Sequence, residues 1–197
     1  MTEPPEALPA AIAVRGHVRS GAPRASGEAS VHDLAPWVAA TYDAHRGDLF
    51  SFARALVRDP DAANDLVAEA FLRLIRETRR DRAPDDPRAW LYRVVANLSL
   101  SRGRRLRTAQ RFVRQLVDRR VAEPADAPVL RRELPADLER ALLELNADAR
   151  VAVVMAARGC SGREIALALG RSETSTRTLL HRARLDLRAR LSSGGER

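Results

Sequence analysis

The chain has 197 residues, and 34 basic against 26 acidic side chains give it a net charge of +8 at neutral pH. That size allows one domain or two small ones, and a 45% hydrophobic content is enough for a buried core. No apolar run approaches the ~20 residues of a membrane span, and Met1-Thr2-Glu3-Pro4-Pro5-Glu6 carries acids where a signal peptide needs bases, so neither membrane insertion nor secretion is expected.

Residues 1–30 are rich in Pro, Ala, Gly and Ser without a sustained period, and read as a flexible tail. From Leu34 onward the pattern is helical almost throughout, and no stretch alternates at period two. The expected fold class is therefore all-α. A first helix spans about Leu34 to Val57 and ends at Arg58-Asp59-Pro60. Asp59 can cap a second helix with Pro60 at its first position. That helix carries Leu66, Val67, Ala70, Phe71, Leu74 and Ile75 as one apolar stripe. Asp86-Pro87 repeats the start signal, and the third helix stripes Trp90, Leu91, Val94, Val95 and Leu98. Trp90 on this stripe reads as core packing. Three such helices can bury one another as a small domain over 34–107.

Gly103 interrupts a basic stretch in which Ser101 to Val121 holds eight arginines and one acid, Asp118. Pro124, Pro128 and Pro135 follow, so 108–134 reads as a linker, helical at first and irregular later. A second unit over 135–191 opens with Leu138, Ala141, Leu142 and Leu145. Asn146 can cap the next helix, cored by Val151, Val153, Val154 and Met155, and Gly159 can end it left-handed. Ser161-Gly162-Arg163-Glu164 has the form of a capping box. The short helix it opens stops at Gly170. Ser172 can cap a last helix packed through Leu179, Leu180, Ala183, Leu187 and Leu191. Residues 192–197 form a tail, and no further carboxyl-terminal domain is expected.

All 34 basic residues are arginine. The planar guanidinium fork matches phosphate and guanine, so the chain reads first as a nucleic-acid binder and second as a binder of membrane surfaces or acidic partners. Cys160 stands alone, and His17, His32, His45 and His181 have no ligand-like spacing, so no disulfide framework, metal site or cofactor is expected. No Gly-rich phosphate loop or convergent acid–base pair suggests an enzyme or a small-molecule substrate.

A short capped helix, a tight turn at Gly170 and a longer basic helix form a helix-turn-helix pattern. Thr174, Arg177, Thr178 and His181 recur at i, i+3, i+4 and i+7, one outer face that can reach base edges. Arg182, Arg184, Arg188 and Arg190 suit phosphates.

The run Glu164-Ile165-Ala166, Leu169-Gly170, Ser172-Glu173, Leu180-His181-Arg182-Ala183-Arg184 and Leu187-Arg188 resembles the carboxyl-terminal DNA-binding domain of bacterial RNA polymerase sigma factors. The likeness is to the short, two-domain extracytoplasmic-function (ECF) group of the sigma-70 family. Asp61-Ala62-Ala63-Asn64-Asp65-Leu66-Val67-Ala68-Glu69-Ala70-Phe71 resembles that group's core-binding helix, and Asp86 to Leu98 its promoter-opening helix. The resemblance covers about 37–191 in family order. The sequence departs from the family at Thr174-Ser175-Thr176, where Gly-Thr-Val is usual, and at Leu179, Ala68 and Ser101.

The resemblance implies two small helical domains, sigma domains 2 and 4, joined by a flexible linker. It implies core RNA polymerase contacts at Asp61, Asp65, Leu66, Glu69 and Leu72. Single-stranded DNA of the downstream (−10) element would meet Asn97, Ser99, Arg102, Arg104 and Arg105. The upstream (−35) element would meet Ser172, Thr174, Arg177, Thr178, His181 and Arg182. The implied partners are core RNA polymerase, promoter DNA and an anti-sigma factor, in the cytoplasm. The two promoter elements lie about two helical turns apart, on the order of 70 Å. About 27 linker residues reach roughly 40 Å as helix and roughly 90 Å extended, enough with the domains' breadth. The competing readings are a helix-turn-helix regulator that binds duplex DNA without polymerase and a module that titrates a sigma antagonist.

Overall fold

The computed structural model describes residues 31–57, 59–114 and 135–194. Among them are seven helices and no strand: α1 (Val31–Leu56), α2 (Pro60–Thr78), α3 (Pro87–Arg114), α4 (Ala136–Glu144), α5 (Ala147–Ala157), α6 (Gly162–Leu169) and α7 (Glu173–Gly194). The expected tail over 1–30, the 115–134 part of the expected linker and residues 195–197 lie outside the described residues.

Helix starts follow their caps. The Asp59 carboxylate accepts from the Asp61 N–H at 3.0 Å, with Pro60 at the first helical position. Asp86 accepts from the Ala89 N–H at 3.0 Å at the start of α3. Asn146 accepts from Ala149 at 2.9 Å, and Ser172 from Ser175 at 3.2 Å. Each satisfies a donor that the first helical turn leaves without a partner. Gly159 takes φ +79° after α5, the left-handed turn expected there.

Two boundaries differ from the sequence reading. Helix α3 runs through Gly103 to Arg114, so the first part of the expected linker continues a helix of 28 residues. A mid-helix glycine costs about 1 kcal/mol, which the surrounding arginines and leucines, good helix formers, offset. Helix α7 extends past Leu191 through Gly194. Leu191 itself is 37% exposed and lies off the packed side.

The helices form two groups. In the first, α1 brings Leu49 and Phe52, α2 brings Leu66 and Leu74, and α3 brings Leu91 and Val95. Phe52 meets Tyr92 edge-on, with ring centroids 4.9 Å apart, a favoured aromatic geometry. In the second, Leu142, Val151, Met155, Ile165 and Ala183 fill the space among α4 to α7. The two groups are docked: α1 packs on α4 and α5, α3 packs on α5 and α6, and the buried side chains run on as one cluster. The periodicity gives each group its apolar face but no sign that the groups share an interior.

Candidate nucleic-acid and protein interfaces

The helix-turn-helix is assembled by local chemistry. Ser161 and Glu164 form the reciprocal capping box at the start of α6. Gly170 takes φ +63° at its end, a conformation that costs a residue with a Cβ about 1–2 kcal/mol. The Arg171 N–H then returns to the Ala166 carbonyl at 3.0 Å, and the Arg171 guanidinium meets Asp148 of α5 at 2.6 Å. The turn is thereby tied to the helix beneath it.

This frame presents the start of α7. At about 100° per residue, Thr174, Arg177, Thr178 and His181 occupy an arc of about 100°, with Arg182 at its edge. All five are exposed, as is Ser172. Thr176 and Ala183 lie on the opposite, buried side. The Thr176 hydroxyl donates to the Ser172 carbonyl at 3.0 Å, so this member of the unusual Thr-Ser-Thr run serves packing. Arg182, Arg184 and Arg188 are exposed. Arg190 is half-buried and pairs with Asp186 and with Glu144 of α4. Both carboxylates raise its pKa further. Leu185, exposed in the middle of the outer face, carries no signal in the periodicity.

The second face lies on α3. Asn97, Arg104 and Arg105 are exposed within an arc of about 100°. Arg104 donates to the Ser101 hydroxyl at 3.2 Å. Ser99 differs from the exposed position expected of it: it is 8% exposed, and its hydroxyl donates to the Ala96 carbonyl at 2.8 Å. Arg102 is exposed on another side, lining a cleft with Leu106, Arg107, Asn146 and Arg150. Trp90 packs half-buried against the core, and Tyr92 is fully buried.

The third face lies on α2. Asp61, Asp65 and Leu72 are exposed and Glu69 is half-buried on one side of the helix. Leu66 is 6% exposed and belongs to the core, so it supports this face from beneath and is not part of it. Glu69 accepts from Arg73 at 2.9 Å and lies 3.6 Å from Arg76. That hydrogen bond from Arg73 is the main reason its carboxyl is held below the usual range. Beside this face the exposed Tyr42 meets Phe71 edge-on at 4.9 Å, with the Arg46 guanidinium 5.8 Å from its ring. No motif singles out Tyr42. No group of three or more metal-ligating side chains occurs among the described residues, and no described helix is long and apolar enough to cross a membrane.

Comparison with known proteins adds three kinds of likeness. The family model for Sigma-70 region 2 matches residues 41–112, and that for Sigma-70, region 4 matches residues 136–187. The chain is 33% identical over 155 residues to a Mycobacterium tuberculosis protein named "Probable ECF RNA polymerase sigma factor SigI", covering 75% of this chain and 53% of that one. It is 32% identical over 148 residues to the ECF RNA polymerase sigma factor SigE of Mycolicibacterium smegmatis, covering 73% and 57%. The chain thus spans little more than half the length of these curated relatives. Among solved structures, the sigma factor RpoE of Bartonella quintana, crystallised with the anti-sigma factor NepR, superposes with a TM-score of 0.62 at 25% identity. That match covers 82% of this chain and 98% of RpoE.

Proposed function

The chain belongs to the extracytoplasmic-function group of the sigma-70 family, and from this premise we propose that it binds core RNA polymerase and directs promoter-specific initiation of transcription. Residues 34–107 form the polymerase-binding and promoter-opening unit, and residues 135–191 the unit that reads the upstream element. The chain has no active site in this reading; it lends sequence recognition to the polymerase in the cytoplasm.

The observation that carries the proposal is the coexistence of three exposed faces. The α7 face of Thr174, Arg177, Thr178 and His181 has the short polar and forked cationic groups that read base edges in a major groove. Asn97 on α3 offers both a donor and an acceptor to an unstacked base, with Arg104 and Arg105 beside it for the strand's phosphates. Asp61, Asp65 and Leu72 on α2 combine carboxylates with an apolar anchor, a surface suited to an arginine-bearing protein partner. A regulator acting on duplex DNA alone has no use for the second and third faces. An anti-sigma factor is a further proposed partner, on the likeness to RpoE, which was crystallised with one.

Reversing charge at Asp65 and Glu69 together tests the polymerase face. The double variant should keep the wild-type helix content and lose affinity for core polymerase. Wild-type affinity in a direct binding titration would remove this surface from the proposal.

A further inference from the structure

We propose that the cleft between the carboxyl-terminal half of α3 and the α4–α5 junction is a binding site for a small phosphorylated ligand of the nucleoside diphosphate class. The site does not depend on the function proposed above and lies apart from the three faces that carry it.

Helix α3 has two sides beyond its core-packed half. Asn97, Arg104 and Arg105 share the outer one. Ser99, Gly103 and Leu106 fall about 140° round the helix from Asn97 and Arg104. They line the cleft, with Arg102 and Arg107 at the two edges of the strip. Three features of this side serve neither packing nor the outer face. Leu106 is 52% exposed. Gly103 sits mid-helix at a cost in helix propensity, although a Cβ there would meet nothing within 4 Å. Packing therefore does not require a glycine, whereas close approach of a ligand to the helix backbone does. Arg102 and Arg107 are exposed and enter no ion pair among the described residues.

The opposite wall is fixed in advance. The Arg150 guanidinium donates to the Leu56 carbonyl at 3.0 Å and to the Leu143 and Leu145 carbonyls, both at 3.1 Å. The Asn146 side-chain oxygen accepts from the Ala149 N–H at 2.9 Å, which leaves its amide N–H groups to donate into the cleft. The Asp59 Oδ1 accepts from the Asp61 N–H at 3.0 Å, which leaves Oδ2 to accept.

The cleft has a volume of about 570 Å³, within the range of small-molecule sites. Its lining is apolar at Leu56, Val57, Leu106, Leu145 and Val151, with few polar groups. Two guanidinium forks flanking one strip of helix suit the oxygens of a phosphate chain. The bare backbone at Gly103 and the Leu106 side chain suit a flat, largely apolar body. Asp59 can accept from a sugar hydroxyl or a base amine, and Asn146 can donate to a base carbonyl or ring nitrogen. An inorganic anion would use the arginines alone and gain nothing from the apolar lining. A nucleoside would leave both arginines unused. A nucleoside diphosphate uses every group.

The experiment titrates the free full-length protein by calorimetry with ADP and with GDP, and with inorganic pyrophosphate and adenosine as the two halves of such a ligand. The proposal expects one nucleotide per chain, with each half binding at least tenfold more weakly. Arg107→Met removes one fork and should weaken nucleotide binding about tenfold, the effect of losing one charge-assisted hydrogen bond. Gly103→Leu fills the bare strip and should weaken it at least as much. Its unfolding midpoint should stay at or above wild type, because leucine is the better helix former. Arg104→Met removes the same charge from the outer side of α3 and should leave nucleotide affinity unchanged. No saturable binding of ADP or GDP, or either half binding as tightly as the nucleotide, overturns the proposal. Equal losses in Arg104→Met and Arg107→Met overturn the location, since affinity then follows net charge alone. If Gly103→Leu lowers the unfolding midpoint, the comparison of Arg107→Met with Arg104→Met decides.

Discussion

Leu66 and Leu72 lie six positions apart on α2, yet one is 6% and the other 49% exposed. The resemblance assigns both to the same partner surface, and side-chain direction separates them. Leu66→Ala should destabilise the fold by about 2–5 kcal/mol in chemical denaturation. Leu72→Ala should change stability by less than about 0.5 kcal/mol and weaken binding to core polymerase instead. The same distinction separates Arg177 from Arg190 on α7. Arg177→Ala should cost about 1–3 kcal/mol at the upstream element and relax its base preference, read by titration against matched and mismatched duplexes. Unchanged affinity would move the recognition surface elsewhere on the helix. Residue type and spacing were enough to place Thr174, Arg177, Thr178 and His181 on one exposed face. They were not enough for Ser99 and Leu66, because a motif match carries residue identities without saying which side of the helix faces the core.

At the scale of elements, the legible features are those whose causes lie within about four residues. Asp59, Asn146, Ser161 and Ser172 cap as their chemistry dictates, and Gly159 and Gly170 turn left-handed where helices stop. The turn between α6 and α7 sets how the recognition helix is presented, so its punctuation bears on function. Ser161→Ala should cost about 1 kcal/mol by removing one arm of the capping box. Gly170→Ala should cost about 1–2 kcal/mol, and backbone strain alone would account for it, since a Cβ there meets nothing within 4 Å. Thermal or denaturant unfolding measures both, and a neutral Gly170→Ala would contradict the strained turn. Gly103 shows the limit of such punctuation. The same residue type sits mid-helix without ending α3, because the favourable residues around it outweigh its local cost.

At the scale of the whole molecule, the docking of the two groups was not legible. Arg88 and Arg150 reach partners 70 and 94 positions away, and no window of sequence relates them. The same region couples stability to pH. His45 is held below 6.5 by burial and then by Arg88, against the weaker opposing pull of Asp48 and Asp86. The folded protein therefore takes up this proton less readily than the unfolded chain. Its contribution is complete above about pH 6.5 and declines as pH falls below it. Unfolding midpoints measured on either side of that pH should show the decline in wild type and a smaller one in His45→Gln. An equal decline in both would assign it to other groups.

The proposed role of this chain is to give promoter specificity to core RNA polymerase. The most direct test is transcription in vitro with purified core enzyme on fragmented genomic DNA, with RNA 5′ ends mapped. Discrete start sites that appear only when the protein is added, each preceded by the same pair of sequence elements, are the predicted result. Protein-dependent footprints on duplex DNA with no protein-dependent starts would contradict it.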